Sequence, residues 1–262
     1  MQRHDQVSRR NFLAALAAGA GPAAGRLMAG GPAAVIDKEK LPVIPKRVEK
    51  AFRAPGKMPN ALEIAPDGLW ILDQVDPNKV FKVRYEDGSA LSQIQTESIH
   101  GSGICYGNGA LWIASTYGLK TLKVDPRTGK TLASFDTPGV GKVKWGQAKR
   151  PSGAHGLVWV KGKYWIAVPP AVTIYLVEPE TGQVIRSIPA PGVRPHDLAW
   201  DNGYLWCVES NDRAIYKMDP KDGRLLAKIQ LSKEDPEPHG MKLRNGVFWY
   251  SDAASGWVCR LV

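Results

Sequence analysis

Five tryptophans stand in register along this chain, and their spacing constrains the fold more than any other feature. Trp70, Trp112, Trp165, Trp206 and Trp249 are separated by 42, 53, 41 and 43 residues. The same unit surrounds each, and its plainest copy is residues 194–231. There His196 opens a first strand, Asp201-Asn202-Gly203 makes a tight turn, and Leu205 to Glu209 forms a second strand. Ala214 to Met218 reads as a third, and Asp219-Pro220-Lys221-Asp222-Gly223 turns the chain into a fourth, Arg224 to Leu231. Asn and Gly accept the positive φ that two-residue hairpin turns demand. Four short strands repeating with this period predict the blades of a propeller.

The repeats begin at Asn60, Ser102, His155, His196 and His239, each ten residues before its tryptophan. The last one ends in its third strand at Val262, and a spare strand, residues 47–56, precedes the first. Pairing the two closes the ring and leaves no open edge. The expectation is therefore an all-β, five-bladed β-propeller of four-stranded antiparallel blades, closed by the N-terminal outer strand. It forms a single domain over residues 46–262, after a polar leader at 35–45. A β-sandwich would leave the register of the tryptophans accidental. The tryptophans themselves read as core rings packing one blade against the next.

Residues 1–34 read as an export signal: Ser8-Arg9-Arg10-Asn11-Phe12-Leu13 resembles a twin-arginine motif, and an Ala/Gly/Leu-rich run follows. The expected location is periplasmic or secreted. Removing the segment takes the formal charge from +10 to +7. Export argues against nucleic acid as a partner, so the remaining charge points to an anionic ligand or a cell surface. No later stretch has the length of a membrane span, and a monomer is expected. Cys105, Cys207 and Cys259 fall in different repeats without CxxC spacing, which reads as three buried small hydrophobes.

Propeller geometry brings the start of each first strand and the end of each second strand to one mouth of the central channel. Two rings of candidates follow. The inner ring is Asn60, Ser102, His155, His196 and His239; the second is Asp73, Ser115, Val168, Glu209 and Asp252. Three histidines at one repeat position suit a divalent metal held by His155, His196 and His239, beside carboxylates able to act as bases. His196, Glu209 and Asp252 are the catalytic candidates. The competing reading makes these histidines a repeat signature that hydrogen-bonds the neighbouring blade. An insertion at 139–150, carrying Lys144, Trp145 and Arg150, lies on the same face. With Asn60 and Ser102, those three are expected to bind substrate.

The pattern of Pro-His or Asn, a DG or NG turn, an apolar-Trp pair and DPxxG resembles secreted NHL/YncE-like, SMP-30/gluconolactonase-like and virginiamycin B lyase-like propellers. Plant-type glutaminyl cyclases are also five-bladed, though their motifs are not found here. The resemblance covers about residues 46–262. It implies Ca²⁺, Mg²⁺ or Zn²⁺ over the channel and a lyase or lactone-hydrolase reaction on a small anionic or lactone-containing molecule. Those relatives have six or seven blades, so only matching blade-edge positions carry over: His155, His196, His239 and Glu209. A non-catalytic propeller that binds a protein or cell-envelope partner is the alternative.

Overall fold

A computed structural model describes residues 37–262; the export signal expected at 1–34 lies outside the described residues. Five four-stranded antiparallel sheets follow one another as blades. The outer closing strand is β1 (Val48–Arg53). Blade one is β2 (Pro59–Ala65), β3 (Gly68–Asp73), β4 (Lys79–Val83) and β5 (Ala90–Gln95); blade two is β6 (Gly101–Gly107), β7 (Ala110–Ser115), β8 (Lys120–Val124) and β9 (Thr131–Asp136). Blade three is β10 (Leu157–Val160), β11 (Lys163–Val168), β12 (Thr173–Val177) and β13 (Val184–Pro189). Blade four is β14 (Pro195–Asp201), β15 (Tyr204–Glu209), β16 (Ala214–Met218) and β17 (Leu225–Gln230). Blade five is β18 (Met241–Arg244), β19 (Val247–Ser251) and β20 (Trp257–Leu261), completed by β1, which pairs with β20 from Val48↔Leu261 to Arg53↔Trp257. The five-bladed ring closed by its N-terminal strand is the architecture the repeat predicts.

Hydrophobic burial is divided among the blade interfaces. Five apolar clusters each join two neighbouring blades, the last bringing Phe52, Trp249 and Val258 of blade five against Leu62, Leu69 and Ile71 of blade one. The cysteines are free and buried in three of these clusters. Each repeat tryptophan packs toward the next blade, as Trp206 does on Phe248 with centroids 4.9 Å apart.

Across the sheet a cation covers the other face of each ring. Lys82, Lys123, Lys217 and Arg260 stand directly opposite Trp70, Trp112, Trp206 and Trp249 and lie 5.2, 5.5, 5.8 and 5.6 Å from their centroids. In blade three Leu176 takes the opposite position, and Arg186 one strand further out supplies the cation at 4.8 Å. A cation over an indole contributes about 0.5–1 kcal/mol at exposed sites, and the repeat uses it five times.

At the axis the inner strands approach backbone to backbone. A methyl group on Gly103 would overlap the His155 carbonyl, one on Gly156 would overlap Cα of Asp197, and one on Gly240 would sit 2.5 Å from Cα of Ala61. The same repeat position carries Asp197 in blade four. Its carboxylate accepts from the amides of Leu198 and Met241, both at 2.8 Å, and pairs with buried Lys242 at 3.2 Å. Lys242 also donates to the carbonyls of Leu198 and Met241. A buried lysine is tolerable only when surrounded by acceptors in this way.

The segment before β1 lies along blade four. Lys38–Lys40 forms a 3-10 turn, and Val43 bridges in parallel to Lys228 of β17, with Ile44 N donating to Lys228 O at 2.8 Å and Lys228 N to Pro42 O at 2.9 Å. It thereby covers an outer edge that would otherwise be open.

The axial crowding makes a prediction. Gly103→Ala is expected to cost about 3 kcal/mol or more, because backbone rather than side chain must move. Gly109→Ala, at a turn with φ +72° and open space around it, is expected to cost about 1 kcal/mol for the left-handed conformation alone. Denaturant unfolding of the two variants checks the difference.

Candidate functional site

Local β-bulges set the stage for the inner ring. The register shifts between Pro59 and Ala61, Gly101 and Gly103, and Pro195 and Leu198, each shift falling at the ring residue. A bulge re-aims a side chain out of the regular alternation. Asn60, Ser102, His155, His196 and His239 are all buried at the resulting ring.

The three imidazoles converge. The His155 and His196 centroids are 4.8 Å apart with rings at 87°, and those of His196 and His239 are 4.6 Å apart at 78°. Burial holds all three below their ordinary range: His155 is pushed down to about 3, His196 lies well below 6.5, and His239 is lowered. The cations and imidazoles around them act in the same direction, Arg194 among them for each. They are therefore neutral at pH 7, each with one donor and one acceptor nitrogen.

A second layer lies two residues earlier in the repeat, at His100, Arg194 and Glu237. Arg194 donates to His239 Nε2 at 3.3 Å and to Glu237 at 2.9 Å. His239 Nε2 thus faces a group that can only donate, while its Nδ1 lies 3.2 Å from the Glu237 carbonyl and takes the Ala253 amide at 3.4 Å. His100 stacks on Tyr117 at 4.1 Å, and the Arg150 guanidinium lies 4.8 Å over the same tyrosine. Burial, with Arg150 nearby, takes His100 down to about 4.

The 139–150 insertion reaches the histidines themselves through Trp145, and Arg150 reaches the second layer over Tyr117. Trp145 stands edge-on to His155 at 6.0 Å, and Arg194 lies over its face at 5.9 Å. Lys144 and Arg150 are exposed.

The second ring has a different occupation. Asp73 accepts from the amides of Lys57 and Met58 at 2.9 and 2.8 Å, and Ser115 from Ile99 at 2.8 Å. Glu209 accepts from the amides of Arg194 at 2.7 Å and Asp212 at 2.8 Å, one on each oxygen. Asp252 takes the amide of Ala254 and the hydroxyl of Ser255. Asp73, Ser115 and Glu209 hold the incoming connection of their blade, whereas Asp252 holds the turn that follows it, so Glu209 acts on the mouth by positioning Arg194. Ser102 is engaged by Gln74 at 2.8 Å.

Several buried polar atoms here have no protein partner among the described residues: both amide atoms of Asn60, Nδ1 of His155 and of His196, and Nε of Arg194. Each unsatisfied group costs roughly 1–3 kcal/mol. Their concentration at one mouth suits a polar ligand.

A divalent metal suits it less well. Such an ion needs converging lone pairs without an opposing charge beside them. His239 already faces a guanidinium, and the oxygens of Glu209 and Asp252 are committed. Among the described residues no three His, Cys, Asp or Glu side chains are placed to hold one. The expected Ca²⁺, Mg²⁺ or Zn²⁺ over His155, His196 and His239 thus does not fit this arrangement.

Comparison with known proteins agrees with the fold and goes no further. The family described as a repeat of unknown function (DUF6923) matches residues 136–261. No curated protein matches the sequence. Among solved structures, the glutaminyl cyclase of Myxococcus xanthus superposes with a TM-score of 0.64 over 84% of this chain and 94% of its own, at 10% identity. A catalytically inactive virginiamycin B lyase from Staphylococcus aureus, with quinupristin, does so with a TM-score of 0.50 over 78% of this chain and 66% of its own, at 17% identity. The likeness is one of fold. The chain is a five-bladed β-propeller.

The buried imidazoles tie stability to pH. An unfolded histidine binds its proton near 6.5, but folded His155 does so only near 3. Between those values the unfolded chain holds the extra proton, so stability falls as pH drops, by up to about 1.4 kcal/mol per pH unit for each such imidazole. Denaturant unfolding between pH 7 and 4.5 should show this fall. His155→Gln should flatten it by about one proton; an unchanged slope would contradict the burial of that ring.

Proposed function

We propose that this chain is an exported enzyme of lyase or lactone-hydrolase type, acting on a small anionic or lactone-containing molecule at the histidine mouth. The observation that carries the reading is one cation, Arg194, set on His239 beside two further neutral imidazoles, His155 and His196, whose Nδ1 atoms have no protein partner among the described residues. Arg194 binds the substrate's anionic group or polarises its carbonyl, and the Asn60 amide fixes its orientation. His196, central in the triplet, takes or returns the proton.

An imidazole held far below neutrality is a weak base in the free protein. A bound anion changes that, because a negative charge within a few ångströms favours the protonated ring and raises its pKa. Substrate binding and proton uptake are coupled in this mechanism. Glu209 and Asp252 contribute by holding the surrounding loops. Trp145 excludes water, and Lys144 and Arg150 steer the anion inward.

The same depressed basicity, together with carboxylates committed to backbone amides, favours a second reading: a non-catalytic propeller whose mouth binds a protein or cell-envelope partner.

Turnover of a panel of lactones and small carboxylates separates the two. For the substrate that is turned over, His196→Ala should lower kcat by about 10²-fold or more with little change in KM, as loss of a general base does. Arg194→Ala should instead raise KM at least tenfold. Unchanged turnover in His196→Ala would remove the catalytic role. No turnover, with a stable partner recovered on the intact protein, would favour the second reading.

A further inference from the structure

Away from the mouth, blade four buries a second charge with little to balance it. Lys228 stands in β17 with its side chain 7% exposed, and its ammonium finds the Glu39 carboxylate only at 3.9 Å. Glu39 is itself 90% exposed, so it does little to offset the desolvation of the lysine. The ammonium opens on a cavity of about 550 Å³ between the N-terminal segment and the outer strands, walled by Lys38, Val43, Asp212, Tyr216 and Gln230. That volume lies in the range of about 300–1,000 Å³ typical of small-molecule sites.

The wall charges are already matched. Asp212 is paired with Lys38 and accepts from the Tyr216 hydroxyl at 2.8 Å, while the Gln230 amide donates to the Asp212 carbonyl at 2.9 Å. Among the described residues one positive charge, Lys228, remains under-compensated. A single negative charge taking the place of Glu39 would match it, whereas a doubly charged ion would leave an uncompensated charge beside Asp212. Half-exposed Val43 offers an apolar face beside it.

We propose that this cavity is a second ligand site, distinct from the histidine mouth, for a small monocarboxylate with an apolar body. Its carboxylate replaces that of Glu39 on Lys228, and its body packs on Val43.

Benzoate is a suitable probe, titrated into the full chain by calorimetry or ligand-observed NMR. Saturable binding is expected, weakened more than tenfold in Lys228→Met and kept within about threefold in Lys228→Arg, which guards against a folding defect. Glu39→Gln should tighten binding a few-fold by removing the competitor. Arg194→Ala should leave it unchanged, which separates this site from the mouth whatever the fate of the enzymatic reading. Inorganic phosphate at matched ionic strength should not displace benzoate. Absence of benzoate binding, equal binding by Lys228→Met, unchanged affinity in Glu39→Gln, loss in Arg194→Ala, or displacement by phosphate would overturn the proposal.

Discussion

The contact on which this molecule depends is backbone against backbone at the axis. With five blades the inner strands crowd until Gly103 meets the His155 carbonyl, Gly156 meets Asp197 and Gly240 meets Ala61. The same crowding gathers the residues one position earlier, so imidazoles from three blades become neighbours at 4.6–4.8 Å. Their neutrality follows from that burial, and so does the character of the mouth.

Charge is used in two ways in this structure. Most of the charge is scaffolding: Asp197 is held by two amides and Lys242, Asp73 and Glu209 each accept two backbone amides, and five half-buried cations lie over the repeat tryptophans. At the mouth the balance differs. Arg194 brings a positive charge to His239, and Asn60, His155 and His196 of the same ring carry buried atoms without a protein partner among the described residues. A guanidinium there competes with a divalent ion for the same lone pair, and it is covalently tethered. An anion, by contrast, gains from Arg194, in competition with the Glu237 carboxylate paired to it at 2.9 Å.

Much of this was legible in the residues. The tryptophan register, the Asn-Gly turns and the unmatched strands at the two ends determine the five-bladed ring and its closure. The repeat offset identified the inner ring, because a propeller places equivalent positions at equivalent points. The same offset taken two residues earlier reaches His100, Arg194 and Glu237, so the sequence contained that layer too. Two things were not legible. Whether Glu209 and Asp252 spend their oxygens on the backbone depends on loop conformation, which residue type does not encode. Whether His239 offers its lone pair to a ligand depends on where one long arginine side chain ends. The leader's pairing with Lys228 was likewise hidden, since a single parallel bridge leaves no periodic trace.

The central claim is that ring size alone brings three neutral imidazoles together. The direct test is nuclear Overhauser contact between imidazole ring protons in the intact protein at pH 7, assigned by single His→Gln replacements. Cross-peaks linking His155 to His196 and His196 to His239 are the predicted result. Three isolated rings with no cross-peak between them would contradict it, and the account of the mouth would fall with it.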